Sequence, residues 1–346
     1  MRHTLHITAL TLAISAGATF AEPAQADTMN TGITALTVTD SRTDRPLEGF
    51  LWYPTTENGR IETHHTNAVW QGIEAIEDAA PAEGKHPFVV LSHGMYGNAM
   101  NQTWLADALV DEGYIVAAIS HPGTSTWSRD PDHARQMWDR PADISRVIGH
   151  ALSDPSLSGL IDAERIYMAG HSLGGFTAMA LAGAQYDAEG FEAFCADQPD
   201  ELVCGIFANW QVGKTPEDRA AMSADLSDSR IKGFGVFDLG GTQTFSAQSL
   251  AAIERPLLVI GAPVDIAGLD LDIESRALRA ALPETQVTYL EPETLSHFDF
   301  LSVCKPAAME ILAEEEPGDE IICKNGDAER EADHALIVKA VVAAFQ

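Results

Sequence analysis

A serine lies between glycines in the segment MAGHSLGG, which spans residues 168 to 175. In the pattern Gly170-x-Ser172-x-Gly174, the glycines permit a sharp turn that strains the backbone of the serine and lifts its hydroxyl out of the fold. The stretch ERIYMAG before the serine is typical of a strand, and LGGFTAMALAGA after it is typical of a helix. We therefore expect Ser172 to be a nucleophile rather than an ordinary serine in a glycine-rich loop.

A serine hydroxyl attacks well only when a base accepts its proton. Among the 12 histidines, His297 in TYLEPETLSHFDFL is the candidate base, because it follows the last predicted strand, where this kind of site places its histidine. His334 falls in a helical pattern and is expected on the surface. His93 and His121 end two predicted strands near the cleft and are candidates to line the pocket.

The acid that orients the histidine is open between two aspartates. Asp238 ends the predicted strand GFGVFD and is followed by LGG, a flexible exit into the cleft. Asp265 follows the next strand, the more usual place for the acid. We prefer Asp238, because the spacing from Gly261 to Asp265 is one residue longer than the usual pattern.

Two backbone amides are candidates for stabilising a negatively charged oxygen. The amide of Leu173 lies at the start of a predicted helix, directly after the nucleophile. The amide of Met95 lies in LSHGMYGN, where Gly94 and Gly97 allow the backbone to fold toward the serine. Together with His93, the neighbouring Tyr96 is expected to contact substrate.

Six short apolar runs alternate with helical patterns from about residue 84 onward, which is typical of a parallel sheet covered by helices on both faces. Two alternating runs before them predict a hairpin. The fold class is therefore α/β, with a mostly parallel eight-stranded sheet. The eight runs are GITALTVTD, PLEGFLWYP, HPFVVLSHG, YIVAAISHPG, RIYMAGHS, RIKGFGVFD, RPLLVIGA and TQVTYLEP.

Two insertions interrupt this alternation, at residues 124–141 and at 185 to about 228. Both leave the sheet near the carboxyl ends of strands, where α/β sheets bind ligands, so we expect them to form a small lid. In the first insertion, Trp127, Met137 and Trp138 either line an acyl pocket or pack the lid onto the body.

The chain is strongly acidic, with 51 Asp and Glu residues against 21 Lys and Arg residues and a formal net charge of −30. Such a surface repels nucleic acids and anionic membranes, and neither is expected as a partner. The sequence contains no CxxC, HExxH or other clustered ligand spacing, so no metal and no cofactor are expected.

Residues 1–26 have the pattern of a signal peptide, with a basic start, an apolar stretch and small residues before the cleavage site. The sequence AQA before Asp27 is the expected cleavage site, and a cut after Ala21 is the alternative. The apolar stretch is too short and too rich in small residues for a good membrane span. We expect one mature domain, residues 27–346, in the periplasm or outside the cell.

Export favours disulfide bonds for the four cysteines. Four cysteines allow three pairings, and we expect the two local ones. These are Cys195–Cys204 and Cys304–Cys323, each of which closes a loop.

The segments around these residues resemble the α/β-hydrolase superfamily. Within it they resemble the bacterial group labelled predicted dienelactone hydrolases, which is related to the platelet-activating-factor acetylhydrolases. The resemblance implies that the acid follows the earlier strand, at Asp238, and that Met95 supplies an oxyanion amide. True dienelactone hydrolases use a cysteine where this chain has Ser172. The segments are SHGMYGN, LADALVDEGYIVAAISHPG, GHSLGG, FDLGGTQTFSAQSLAAIERPLLVIGA and SHFDFLSVC.

The combination of nucleophile, base and oxyanion amides predicts a serine carboxylic-ester hydrolase that acts on a small-molecule ester through an acyl-enzyme, without a cofactor. Two alternatives are open. The same residues serve a peptidase or amidase, and a hydrolase fold also serves as a non-catalytic binding protein.

Overall fold

A computed structural model describes residues 29–41 and 43–346 of the chain. The predicted signal peptide, residues 1–26, lies outside the described residues. The strands are β1 Asn30–Val38, β2 Leu47–Thr55, β3 Glu62–His64, β4 Ile73–Glu77, β5 His86–Ser92, β6 Ile115–Ser120, β7 Thr124–Ser125, β8 Ser128–Arg129, β9 Ile161–His171, β10 Ile231–Phe237, β11 Leu257–Ile260 and β12 Val287–Leu290. The α-helices are α1 Thr103–Asp111, α2 Pro131–Ala134, α3 Asp139–Ser153, α4 Leu173–Ala182, α5 Ala188–Asp197, α6 Leu202–Trp210, α7 Pro216–Met222, α8 Ala247–Ala251, α9 Ser275–Ala281, α10 Ala308–Glu315 and α11 Asp327–Ala344.

Ten of these strands form one sheet in the order β12-β11-β10-β9-β5-β6-β2-β1-β4-β3. The stretch from β12 to β6 is parallel, whereas β2 pairs antiparallel with both β6 and β1. The expected eight strands are all present, and the hairpin of β1 and β2 is among them. The count of eight is nevertheless wrong, because β3 and β4 extend the sheet from a segment whose short, charged runs give little strand signal.

Helices cover both faces of the sheet, as the apolar character of its strands predicts. Every residue of β5 is buried, and its alternate side chains enter two different hydrophobic clusters. One cluster is formed with α3, α4, α8 and α9, and the other with α1 and α11. Helix α4 is buried along its whole length, which explains its almost entirely apolar sequence.

The two predicted disulfide bonds are both present. Cys195–Cys204 ties α5 to α6, and Cys304–Cys323 closes the segment that contains α10. Within the described residues, none of the helices combines the length and the apolar character needed to cross a bilayer.

Parallel strands place their carboxyl ends at one edge of the sheet, and the candidate site lies at that edge. Strands β10, β9 and β5 are direct neighbours, so the residues that follow them, Asp238, Ser172 and Met95, are brought together. His297 follows β12, two strands beyond β10.

Candidate active site

Ser172 lies on a sharp turn between β9 and α4. Its backbone has φ 56° and ψ −119°, a conformation that residues other than glycine rarely adopt. The amide of Ser172 donates to the carbonyl of Phe237 on the neighbouring strand, at 2.8 Å. The turn is therefore fixed to the sheet while it presents the serine at the carboxyl edge.

Two glycines make this turn possible because backbone atoms lie where side chains would be. A Cβ on Gly170 would lie 2.1 Å from the carbonyl oxygen of Gly174. A Cβ on Gly174 would lie 1.9 Å from the carbonyl oxygen of Ser92, at the end of β5. The glycines thus allow the end of β5 to pack directly on the turn.

His297 and Asp238 form a buried hydrogen-bonded pair. Nδ1 of His297 lies 2.7 Å from Oδ2 of Asp238. Since the carboxylate accepts, Nδ1 carries the proton, and Nε2 of the neutral ring is left as a base. Both His297 and Ser172 line the same cavity.

Backbone contacts hold Asp238 in place. Its amide donates to the carbonyl of Ile260, and its Oδ1 accepts from the amide of Ala262 at 2.9 Å. The alternative acid, Asp265, accepts from the amide of Gly268 and is not paired with His297 in the structure. The geometry therefore favours Asp238 for the orienting role.

The loop after Asp238 is held rather than flexible. Buried Glu274 accepts from the amides of Gly241 and Thr242, at 2.8 to 2.9 Å. Burial raises the pKa of the Glu274 carboxyl to about 7, despite these hydrogen bonds. The LGG stretch therefore has a fixed path, anchored to the residue just before α9.

The turn that carries His297 is held by a buried ion pair. Asp299 accepts from the amide of Ser296, immediately before His297, at 2.7 Å. Nε of Arg330 on α11 donates to the other oxygen of Asp299 at 3.0 Å. Arg330 also donates to the carbonyl of Ile322, inside the segment closed by the second disulfide.

The expectation that His334 lies on the surface is wrong. Its helix was predicted correctly, but this side of α11 packs against the turn that carries His297. Nε2 of His334 donates to the carbonyl of Asp299 at 2.7 Å, and its ring stacks on Trp104. Burial lowers the pKa of His334 to about 4, so the ring is neutral.

The candidate amides of Leu173 and Met95 belong to two segments that contact at the serine. The Leu173 amide is at the first position of α4 and has no acceptor within the helix. Gly94 is so close to Ser172 that a Cβ on it would lie 3.1 Å from the serine Cβ, so the Met95 loop covers the serine. This arrangement suits two donors directed at one oxygen.

His171 separates the pair from the core. Its ring packs against His297 at a centroid distance of 4.5 Å and stacks on Phe300. Burial, followed by the charge of His297, holds the pKa of His171 well below its usual value. The ring is therefore neutral and adds no positive charge beside the base.

The serine opens into a cavity of about 380 Å³ with mostly apolar walls. Helix α6, in the second insertion, supplies one wall, and none of the described residues that line the cavity is Asp, Glu, Lys or Arg. Sequence reasoning missed this wall, although LVCGIFANW is a dense apolar run within a charged insertion. The α6 residues are Leu202, Val203, Ile206, Phe207 and Trp210.

Of the residues expected to contact substrate, only Tyr96 lines this cavity. Its hydroxyl accepts from Nε1 of Trp210 at 3.1 Å, and the guanidinium of Arg129 lies 4.7 Å above its ring centroid. Tyr96 therefore connects the Met95 loop to α6.

The structure places the tryptophans of the first insertion elsewhere, which corrects their assignment to the acyl pocket. Trp127 occupies the tip of the β7–β8 hairpin and is 68% exposed, beside a separate groove. Trp138 packs on the body near Phe176, which agrees with the packing alternative. Met137 is buried in the same cluster.

His93 and His121 are buried scaffold residues rather than pocket residues, which corrects that expectation. Nδ1 of His93 donates to the carbonyl of Gly94, and its Nε2 accepts from the amide of His121 at 2.9 Å. With both nitrogens used internally, the His93 ring has none left for a substrate. Burial keeps the pKa of each ring well below the usual value.

A Ser, a His and an Asp elsewhere in the fold are also linked by hydrogen bonds. Ser92 Oγ is 2.9 Å from Nε2 of His121, whose Nδ1 is 3.0 Å from Oδ2 of Asp143. All three residues are at most 1% exposed, and none lines the cavity at Ser172. A buried hydroxyl cannot reach an ester, so this chain is part of the scaffold.

No group of three or more His, Cys, Asp or Glu side chains suited to a metal ion occurs in the described part of the chain.

Comparison with known proteins gives one family match and two curated relatives. The family described as serine aminopeptidase, S33, matches residues 84–195. Cutinase est1 of Thermobifida alba is 30% identical over 101 residues, which are 29% of this chain and 31% of that protein. Cutinase est2 of the same organism is 29% identical over 213 residues, which are 61% of this chain and 52% of that protein. The chain thus matches about half or less of either relative.

Among solved structures, a ferulic acid esterase from Streptomyces cinnamoneus superposes with a TM-score of 0.57 at 20% identity. The match covers 94% of this chain and 91% of that one. At this identity the likeness concerns the fold alone.

The packing of Gly174 against β5 gives a prediction for stability. Gly174→Ala should lower the free energy of unfolding by about 3 kcal/mol or more, because the new Cβ collides with the backbone of Ser92. Gly159→Ala is the matched control, since nothing lies within 4 Å of its Cβ position. Urea unfolding followed by circular dichroism measures both. Equal stability of the two variants would contradict the close contact.

Proposed function

We propose that this chain, which has the fold of the α/β-hydrolase superfamily, is a serine carboxylic-ester hydrolase. The observation that carries the proposal is that His297, which is paired with Asp238, lines the same cavity as a serine on a strained turn. The curated relatives are cutinases, which supports the same chemistry. The finer resemblance to the dienelactone hydrolase group stays a prediction.

In the first half of the reaction, Nε2 of His297 accepts the proton of Ser172 as the serine oxygen attacks the ester carbonyl. The carbonyl oxygen becomes negatively charged and is held by the amides of Leu173 and Met95. Protonated His297 then gives its proton to the leaving alcohol, and the acyl group remains on the serine.

In the second half, His297 removes a proton from water, which attacks the acyl-enzyme carbonyl. The same two amides hold the second tetrahedral oxyanion, and the acid leaves as Ser172 recovers its proton. Asp238 holds the ring in the tautomer that leaves Nε2 free and stabilises its protonated form throughout.

The cavity favours a neutral ester. Its walls carry no described charged side chain, so a buried carboxylate would find no cation there. The net charge of −30 adds long-range repulsion of anions. The carboxylate of a dienelactone is therefore a poor match for this site.

Peptide hydrolysis is the second candidate, because the matching family is described as serine aminopeptidase. An aminopeptidase must hold a terminal ammonium group, for which a carboxylate is the usual partner. The described cavity walls offer none, which favours the ester over the peptide.

The two disulfides support a periplasmic or extracellular location.

Replacement of the nucleophile tests the proposal directly. Ser172→Ala should lower kcat for p-nitrophenyl butyrate by about 10⁴-fold or more, since only the oxyanion donors and substrate binding remain. A fluorophosphonate probe should label Ser172 of the unaltered protein, as located by peptide mass spectrometry. Surface Ser227→Ala is the control and should keep full activity. Unchanged turnover in Ser172→Ala, or labelling at another serine, would refute the assignment.

The identity of the acid is tested by a matched pair of variants. Asp238→Asn should lower kcat by about 10⁴-fold, because the amide favours the wrong tautomer of His297. Asp265→Asn removes a negative charge but keeps an oxygen that can accept from the amide of Gly268, and it should keep kcat within a factor of about two. The reverse ranking in steady-state kinetics would assign the role to Asp265.

Substrate charge gives a further test. An ester with a carboxylate at the end of its acyl chain should show kcat/KM about 10²-fold or more below that of its neutral analogue, because no cation offsets the buried charge. The comparison is repeated in 1 M salt, where the screening length is about 3 Å and long-range repulsion is removed. A persistent difference supports the uncharged cavity, whereas equal rates in high salt would contradict it.

A further inference from the structure

Arg140, in the first turn of α3, is among the largest fully buried side chains of the described structure. Its guanidinium donates to Thr177 Oγ1 at 3.0 Å, to Thr124 Oγ1 at 2.6 Å, and to Ser92 Oγ at 3.2 Å. It also donates to the carbonyl oxygen of His93 at 2.5 Å. These four acceptors come from three segments around the candidate site, because Ser92 and His93 are neighbours at the end of β5.

Through Thr177, Arg140 is linked to Leu173, one of the two residues whose amides are candidates for the oxyanion hole. Thr177 lies one turn into α4, and its hydroxyl donates to the carbonyl of Leu173 at 3.2 Å. Since the hydroxyl oxygen accepts from Nε of Arg140, its hydrogen points toward the carbonyl of Leu173. Arg140 thereby fixes the first turn of the helix that presents the Leu173 amide.

Two further contacts hold the loop of Met95 from both sides. On one side, Arg140 binds the carbonyl of His93, two residues before Met95. On the other side, it binds the hydroxyl of Thr124, whose carbonyl accepts from the amide of Tyr96 at 2.8 Å. The Met95 amide therefore lies between two backbone positions that depend on the same guanidinium.

The charge of Arg140 is buried without a direct carboxylate partner among these contacts. Asp143, three residues further along α3, is held by both oxygens to Arg45 and also pairs with His121. Burial lowers the pKa of the guanidinium to about 9. A buried cation with neutral acceptors is weak evidence for stability, because apolar replacements of buried charges are often neutral or stabilising. Its specific contacts instead indicate a positional role.

We propose that Arg140 is the positioning residue of the oxyanion hole, holding the amides of Leu173 and Met95 at the spacing that a single charged oxygen requires. The inference rests on the proposed ester hydrolase function and adds a residue that touches neither substrate nor the reacting atoms. The planar fork of arginine is needed, because one compact ammonium cannot serve acceptors in several directions.

The experiment compares Arg140→Met and Arg140→Lys with the unaltered protein. Both variants should lower kcat for p-nitrophenyl butyrate about 10²-fold with KM changed less than about threefold, since displaced amides weaken transition-state stabilisation. Affinity for a trifluoromethyl ketone, which Ser172 converts to a tetrahedral oxyanion, should fall by the same factor as kcat. Affinity for the matching plain ketone should stay constant.

Val341→Ala is the control for a merely structural effect. Val341 is buried in the cluster on the other face of the sheet, so the substitution should lower the melting temperature and leave kcat and inhibitor affinity unchanged. If Arg140→Met does not fold, Thr177→Val decides instead, because it removes only the link to Leu173. It should lower kcat about tenfold, with a parallel loss of trifluoromethyl ketone affinity.

Each outcome has a clear meaning. Parallel losses of kcat and trifluoromethyl ketone affinity at constant KM support the proposal. Full activity of folded Arg140→Met or Arg140→Lys, or a loss that appears only in KM, would overturn it while leaving the hydrolase function intact. An unaltered protein without esterase activity or labelling at Ser172 would remove both.

Discussion

Direct backbone packing between the end of β5 and the turn at Ser172 is the constraint on which the candidate site depends. The turn can present a hydroxyl and an amide to one ester only if the Met95 loop comes within van der Waals distance of it. Glycine at 174 permits that approach, since its Cβ position falls almost on the Ser92 carbonyl oxygen. Because the two backbones are in direct contact, no side chain lies between them that could change its conformation to adjust their spacing. Their relative position must therefore be fixed from behind, by buried polar groups.

Two buried arginines supply that support for the two halves of the site. Arg140 binds the segments that carry the candidate oxyanion amides, and Arg330, through Asp299, binds the turn that carries His297. Each arginine lies on a helix that packs against one face of the sheet, so the catalytic edge is held from both sides. A guanidinium suits this task, because its five donors can satisfy several backbone and hydroxyl acceptors in one plane.

The sequence predicts a feature correctly where the residues that cause the feature lie close together in the chain. The strained turn at Ser172 needs glycines within a few residues, and the parallel strands need continuous apolar runs. Both features can therefore be predicted from the sequence. The sequence left two roles open for Trp127 and Trp138, because an insertion has no periodic relation to the sheet and only its packing decides which face meets the cavity. The prediction that His334 lies on the surface is wrong for a similar reason, since a helical pattern does not indicate what packs against the polar side of the helix. The partners of Arg140 come from three segments that are distant in sequence, so no local pattern predicts them.

Exposure separates two arrangements of the same three residue types in this molecule. Ser92, His121 and Asp143 are linked in the order expected of a catalytic site, yet they are sealed beneath the sheet edge and connect to Arg140. Ser172 instead lines an open cavity together with His297, whose Nδ1 is paired with Asp238. The buried chain makes its hydrogen bonds within the fold, so it has none to offer a substrate. The same residue types therefore stabilise the structure where they are buried, and they are accessible to a substrate where they line the cavity.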